Sequence, residues 1–203
     1  VITTESLDLD VEDVIKTASL DLDVGDVIKT ASRALNVTKV IPTHRQCSIE
    51  ITNKCSQYTL SNPSYYTESG SCAKPLPYHI DSDSSSSGLF IKTPYATSGA
   101  VGVFTYDIIN KSTNKSTEKI AVMFSVPFDF NIYSIWYAVG IFDMSKECNR
   151  DLYNQMYYKT DSTFVRSKAA HGIKHSHKGV TIMATMVDSY QPVMMVEVRD
   201  DDE

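Results

Sequence analysis

No stretch of this 203-residue chain approaches the ~18 consecutive apolar residues that a membrane-spanning helix needs. Any entry into a bilayer must therefore be conditional. Enzyme signatures are missing too: there is no Gly-x-Ser-x-Gly elbow, no glycine-rich phosphate loop and no paired Cys-x-x-Cys. No catalytic activity and no cofactor are expected. Positive charge is in the minority, with 19 Lys and Arg against 25 Asp and Glu. No basic stripe interleaved with aromatics appears, so nucleic acid is not an expected partner. Tryptophan occurs once, and no cysteine precedes Cys47. No initiator Met and no signal peptide head the chain, which reads as a mature or trimmed form.

The charge that is present is unevenly placed. Residues 1–32 hold eight acids and two lysines, and residues 199–203 read RDDDE. Between them, residues 33–198 hold 16 bases and 13 acids. A mildly basic body thus sits between acidic ends, too weakly charged overall for strong recruitment to anionic lipid.

Residues 6–18 read SLDLDVEDVIKTA and residues 19–31 read SLDLDVGDVIKTA, a tandem repeat broken only by Glu12 against Gly25. Leu7, Val11, Val14, Ile15 and Ala18 recur at helical spacing, and so do Leu20, Val24, Val27, Ile28 and Ala31. At ~100° per residue, 13 residues turn the stripe by ~1300°, which leaves the two apolar faces ~220° apart. One straight helix cannot dock both copies. The second copy, roughly residues 24–36, is expected to dock on the body, and the first to be loosely held. The chain therefore divides into an amphipathic segment, 1–36, and a body, 37–203.

From Gln46 onward the pattern is β. Short apolar or β-branched runs occupy 47–51, 88–92, 100–109, 119–126, 136–142, 179–187 and 193–199. Residues 81–88 and 110–119 read as polar loops. Regularly spaced strands with turns predict a β-sandwich. Residues 146–158 predict one helix. It places Tyr153 and Tyr157 one turn apart, with Tyr158 beside them. His171, His175 and His177 lack a nearby carboxylate to complete a metal site and read as a solvated loop, so no metal is expected.

Cys47, Cys55, Cys72 and Cys148 permit two disulfides in three pairings. Together with sequons at Asn36, Asn110 and Asn114, they favour a secreted protein over one with four free thiols.

The stretch 124–137, FSVPFDFNIYSIWY, holds six aromatics separated by Pro127, Asp129 and Asn131. Two readings stay open from these residues. One is an edge strand and turn with ordinary core rings. The other is a loop that exposes amphipathic rings to a protein interface or a headgroup layer. Tyr133, Tyr153, Tyr157 and Tyr158 are further able to enclose a quaternary ammonium by cation–π attraction, worth ~0.5–2 kcal/mol per contact. Packing of the helix tyrosines on a sheet is the alternative.

SGAVGV (98–103), AVMFSVPFDFNIYSIW (121–136) and LYNQMYY (152–158), in this order and spacing, with YYTESG (65–70) upstream, resemble the actinoporins and actinoporin-like pore-forming cytolysins. The resemblance implies a mainly β protein: a compact sandwich flanked by two helices, one N-terminal and amphipathic. It implies binding of phosphocholine headgroups, typically of sphingomyelin, with other phosphocholine lipids or glycolipids as further candidates. It also implies assembly into a homo-oligomer and insertion of the N-terminal helix to line a pore. By motif, the headgroup site comprises Ser69, Val101, Ser125, Pro127, Tyr133, Tyr153, Tyr157 and Tyr158. The membrane-facing rim comprises Phe128, Phe130, Ile132, Tyr133, Trp136 and Tyr137. A lumen lined by the repeat's carboxylates would favour cations. A lectin-like module of the same fold, binding lipid or glycan without perforating, is the competing reading.

The chain also departs from this family. Ile132 stands where a tryptophan is usual, Glu68 where an arginine is frequent, and the Arg-Gly-Asp tripeptide after Tyr158 is missing. The acidic pI of about 5.3, the cysteines and the tandem repeat are unusual as well.

Overall fold

A computed structural model of the protein describes residues 45–201. The expected N-terminal helix, its repeat and the docking of residues 24–36 lie outside these residues.

Among the described residues, twelve strands form two six-stranded sheets. The first sheet contains β1 (Gln46–Asn53), β3 (Ser71–Lys74), β5 (Ser84–Ile91), β10 (Ile173–His177), β11 (Val180–Met186) and β12 (Val193–Asp200), in the order β10-β11-β12-β1-β5-β3. The second contains β2 (Tyr58–Ser69), β4 (His79–Ile80), β6 (Ala100–Asn110), β7 (Glu118–Val126), β8 (Trp136–Asp143) and β9 (Phe164–Lys168), in the order β4-β2-β6-β7-β8-β9. Pairing is antiparallel except between β1 and β12, which run parallel from Ser48 opposite Val193. The single helix among the described residues, α1 (Arg150–Tyr158), packs on the second sheet.

Strand β7 shows why the layers form. Ile120, Val122, Phe124 and Val126 point into the sandwich core with Ile49, Ile51, Phe90 and Phe104. The alternate residues Ala121 and Met123 point to the other face and join Val103, Ala138, Leu152 and Met156 beneath α1. A strand covered on both faces reads as a continuous apolar run, which is how residues 119–126 look in the sequence.

Helix α1 starts at Arg150, four residues later than the sequence predicts. Residues 143–146 are instead held in a turn, with Lys146 N donating to Asp143 O and Ser145 N to Asp143 Oδ1. Asn149 then caps the helix by accepting from Leu152 N at 3.1 Å.

Two expected loops are strands. Ser84–Gly88 of 81–88 belong to β5, because β1 supplies the ladder and the serine hydroxyls find partners. Thr52 Oγ1 meets Ser85 Oγ at 2.8 Å, and Lys74 Nζ donates to Ser87 Oγ at 2.7 Å. His175 and His177 lie on β10, not in a loop. His177 Nε2 stands 3.1 Å from Glu118 Oε1.

The disulfide expectation is corrected: all four cysteines are free thiols. Cys47 and Cys72 both sit opposite Phe90, on either side of β5. Two strand spacings, ~9.6 Å, separate them, beyond the reach of a disulfide. Cys55 lies past the far end of β1, and Cys148 packs under α1 beyond the other sheet. Burial pushes the Cys55 thiol up to about 12 and Cys148 up to about 11, with Cys47 raised for the same reason. These three are protonated, unreactive thiols at neutral pH.

Candidate functional site

A row of residues crosses the second sheet near one end. Ser69 pairs with Val101, Val101 with Ser125, Ser125 with Trp136, and Trp136 with Lys168. Val101 packs against the cluster beneath α1, so the row faces the helix side of the sheet. Three residues expected from distant parts of the chain, Ser69, Val101 and Ser125, are therefore direct neighbours. Two glycines permit the close strand approach here. A Cβ on Gly102 would lie 2.4 Å from Tyr66 O, and one on Gly99 would lie 1.8 Å from Val126 O.

Helix α1 supplies the wall. Tyr153 is buried, with Ser125 as a polar neighbour of its hydroxyl; burial raises its pKa well above the ordinary value. Tyr157 stacks on Tyr153 with ring centroids 5.6 Å apart, and Tyr158 meets Tyr157 edge-on at 4.7 Å. Tyr158 is 70% exposed. The three rings thus grade from the sheet outward, anchored by a polar contact at the bottom.

Pro127 follows β7, half-buried, and opens the aromatic loop. Asp129 organises that loop: its carboxylate accepts from Asn131 N at 2.9 Å and its carbonyl from Tyr133 N at 3.0 Å. Phe128, Ile132 and Tyr133 are exposed, the last two by 69% and 61%. Among the described residues, no ring contact joins Tyr133 to the helix tyrosines. Phe130 is half-buried against the core, and Trp136 is half-covered on the helix side.

Tyr137 corrects the expected rim. It is 0% exposed and faces the sandwich core opposite Phe124, donating its hydroxyl to the carbonyls of His171 and Ala184. Strand alternation decides this: Trp136 and Tyr137 are consecutive, so only one can face outward.

Glu68, which stands where an arginine is frequent in the family the chain resembles, is engaged within the protein. Its carboxylate accepts from Tyr66 Oη at 2.5 Å and lies 3.4 Å from the Arg150 guanidinium of α1. The acid is partnered by a cation 82 residues away.

Sequence reading missed Arg45. Its guanidinium lies over three rings, 4.5 Å from Phe130, 5.0 Å from Tyr190 and 5.8 Å from Phe128, and Nε donates to Phe128 O at 2.9 Å. Lys92 Nζ stands 5.6 Å from the Phe128 ring. It also missed a Ser61–His79–Asp81 relay, in which Ser61 Oγ meets His79 Nδ1 at 2.5 Å and His79 Nε2 meets Asp81 at 2.8 Å. Ser61 is buried and sits directly opposite His79 in the β2–β4 ladder, so the relay latches two strands and exposes no nucleophile. No group of three metal-ligating side chains gathers among the described residues, and none of their helices is long and apolar enough to cross a membrane.

Comparison with known proteins places the chain in a family. Residues 12–200 match the family described as sea anemone cytotoxic protein. Bryoporin of Physcomitrium patens is 26% identical over 155 residues, covering 76% of this chain and 84% of that protein. DELTA-alicitoxin-Pse1b of Phyllodiscus semoni is 36% identical over 117 residues, covering 56% of this chain and 47% of the toxin, so the match spans about half of that relative's length. Among solved structures, the lipid binding protein Nakanori superposes with a TM-score of 0.66 at 10% identity, over 84% of this chain and 78% of its own, a likeness of fold. With nearly its whole length matched, the chain belongs to the sea anemone cytotoxic protein family, the actinoporin-like cytolysins.

Proposed function

We propose that this chain is a secreted pore-forming cytolysin that recognises phosphocholine headgroups, assembles with copies of itself on the membrane and inserts its amphipathic N-terminal segment to line a cation-favouring pore. The observation that carries this reading is the row Ser69, Val101 and Ser125 beneath the graded wall Tyr153, Tyr157 and Tyr158. Beside it stand the exposed Phe128, Ile132 and Tyr133. The tyrosine faces suit a choline cation, and the hydroxyls of Ser69, Tyr157 and Tyr158 are donors for its phosphate. The exposed rings suit the headgroup layer, where one end of the ring is wet. Pro127 sets the exit of β7 and with it the start of the loop that carries Tyr133.

Dye release from vesicles with and without sphingomyelin tests this. Wild type is expected to release dye from the phosphocholine vesicles, and Tyr133→Ala to need about tenfold more protein, the equivalent of ~1.4 kcal/mol. Tyr133 is exposed, so its melting temperature should stay close to wild type, within the ±0.5 kcal/mol usual at the surface. Binding without release on every lipid would support the lectin-like reading instead.

The repeat gives a second expectation. A helix through both copies would turn one apolar stripe toward the lumen, so a single copy spans the bilayer. Deleting residues 6–18 should leave dye release largely intact; complete loss of release would reject single-copy spanning.

A further inference from the structure

We propose a second headgroup site on strands β8 and β9, formed by Trp136, Arg166 and Lys168, that takes the anionic group of a bilayer lipid such as phosphatidylserine. It rests on the membrane-lipid reading above and names a lipid class which that reading does not.

Register places the site. Trp136 is flanked by Ser125 on β7 and Lys168 on β9, and Arg166 pairs with Ala138, one pleat further along the same face. Trp136, Lys168 and Arg166 therefore continue the row that begins at Ser69 and Val101. At ~4.8 Å per strand, Lys168 lies ~10 Å from Ser125, far enough to seat a second headgroup beside the first. Trp136 also begins β8 directly after the aromatic loop, so the site shares the loop's end of the sandwich.

The chemistry selects the ligand. The Arg166 guanidinium lies 4.8 Å from the Trp136 ring and Lys168 Nζ lies 5.5 Å from it. A guanidinium held over a ring still has N–H donors for a forked contact with phosphate or carboxylate. Among the described residues, no carboxylate lies within ion-pair distance of Arg166 or Lys168. In contrast Arg150, at the other end of the row, is engaged by Glu68. Two cations held on an indole present a site that is positive at its tips and apolar at its base, which fits an anionic headgroup above acyl chains. The net charge of −6 conceals it, because the acids concentrate in the termini.

The structure supplies its own reporter, since Trp136 is the chain's one tryptophan. Intrinsic fluorescence and co-sedimentation would be followed for wild type and for the Arg166→Gln, Lys168→Gln double variant. The vesicles would be sphingomyelin and cholesterol, with and without a minor share of phosphatidylserine. Wild type is expected to bind the phosphatidylserine vesicles about tenfold more tightly, with a blue-shifted Trp136 emission and a gain that shrinks as salt rises. The double variant should lose that gain and keep wild-type binding to the vesicles without phosphatidylserine. Glutamine preserves much of each side chain's stem over the ring, and an unchanged melting temperature would verify the fold. A gain that survives in the double variant, or is absent from wild type, overturns this site alone. Wild type that binds no vesicle overturns the proposed function instead. A Trp136 emission shift with inorganic phosphate alone, and no gain on phosphatidylserine vesicles, would overturn the lipid as its source.

Discussion

Tyr137→Ala is expected to destabilise the protein by ~3–5 kcal/mol, the usual cost of removing a large buried ring. For a chain of this size that is a fall in melting temperature of roughly 10 °C or more. The ring is wholly buried in the core shared by Phe90, Phe124 and Val139. Its hydroxyl also serves the carbonyls of His171 and Ala184, which tie β8 to the stretch between β9 and β10 and to β11. Tyr137→Phe isolates this second part and should cost about 1–3 kcal/mol, the penalty for carbonyls left without a donor. Trp136→Ala is the control, because the neighbouring side chain points to the other face. It should change vesicle binding far more than stability. The pair tests register directly: a one-residue slip of β8 on β7 would exchange the two outcomes. Thermal unfolding and vesicle co-sedimentation on all three variants would decide it.

The same alternation explains what the sequence reveals of this site and what it hides. The proposed headgroup residues Ser69, Val101 and Ser125 are legible through motif, and the ladder brings them together: three strands place them side by side. The proposed rim is legible as a composition, six aromatics in fourteen residues, but composition carries no facing. Phe128, Ile132 and Tyr133 fall in the turn organised by Asp129 and are exposed, whereas Tyr137 falls one residue inside a strand and is buried. Strand β2 escaped because Asn62 and Pro63 are turn residues. They occupy an irregularity between Ser61 and Ser64, with Asn62 in the left-handed region at φ 54°, and the strand resumes beyond it. The cysteines misled through their number; their placement, with Cys47 and Cys72 two strands apart and Cys55 and Cys148 at separate sites, separates free thiols from a framework. Arg45, Lys92, Phe128 and Tyr190 meet from four remote places in the chain, and no local pattern announces such a meeting.

That meeting carries the second large expected effect. Arg45 immediately precedes β1, in the body and nine residues along the chain from the end of the N-terminal segment, 1–36, proposed to enter the bilayer. Its guanidinium lies over Phe130 and Tyr190, which contact each other edge-on at 5.3 Å, and it holds the carbonyl of Phe128. One residue thus joins the start of β1 to the loop proposed to touch lipid. Any displacement of Phe128 or Phe130 on entering the headgroup layer must break or drag these contacts. Arg45→Ala is expected to cost about 2 kcal/mol of stability, from the cation–π contacts and the hydrogen bond together. Its larger effect should be functional: bound protein close to wild type on sphingomyelin vesicles, but dye release per bound molecule reduced at least tenfold. Arg45→Lys keeps the charge and loses the planar, face-stacking fork, so it should recover stability more fully than release. The measurement is dye release normalised to co-sedimented protein. Equal proportional losses of binding and release in Arg45→Ala would reduce Arg45 to a packing role. Release falling while binding holds would identify it as the link through which lipid contact at the loop reaches the N-terminal segment.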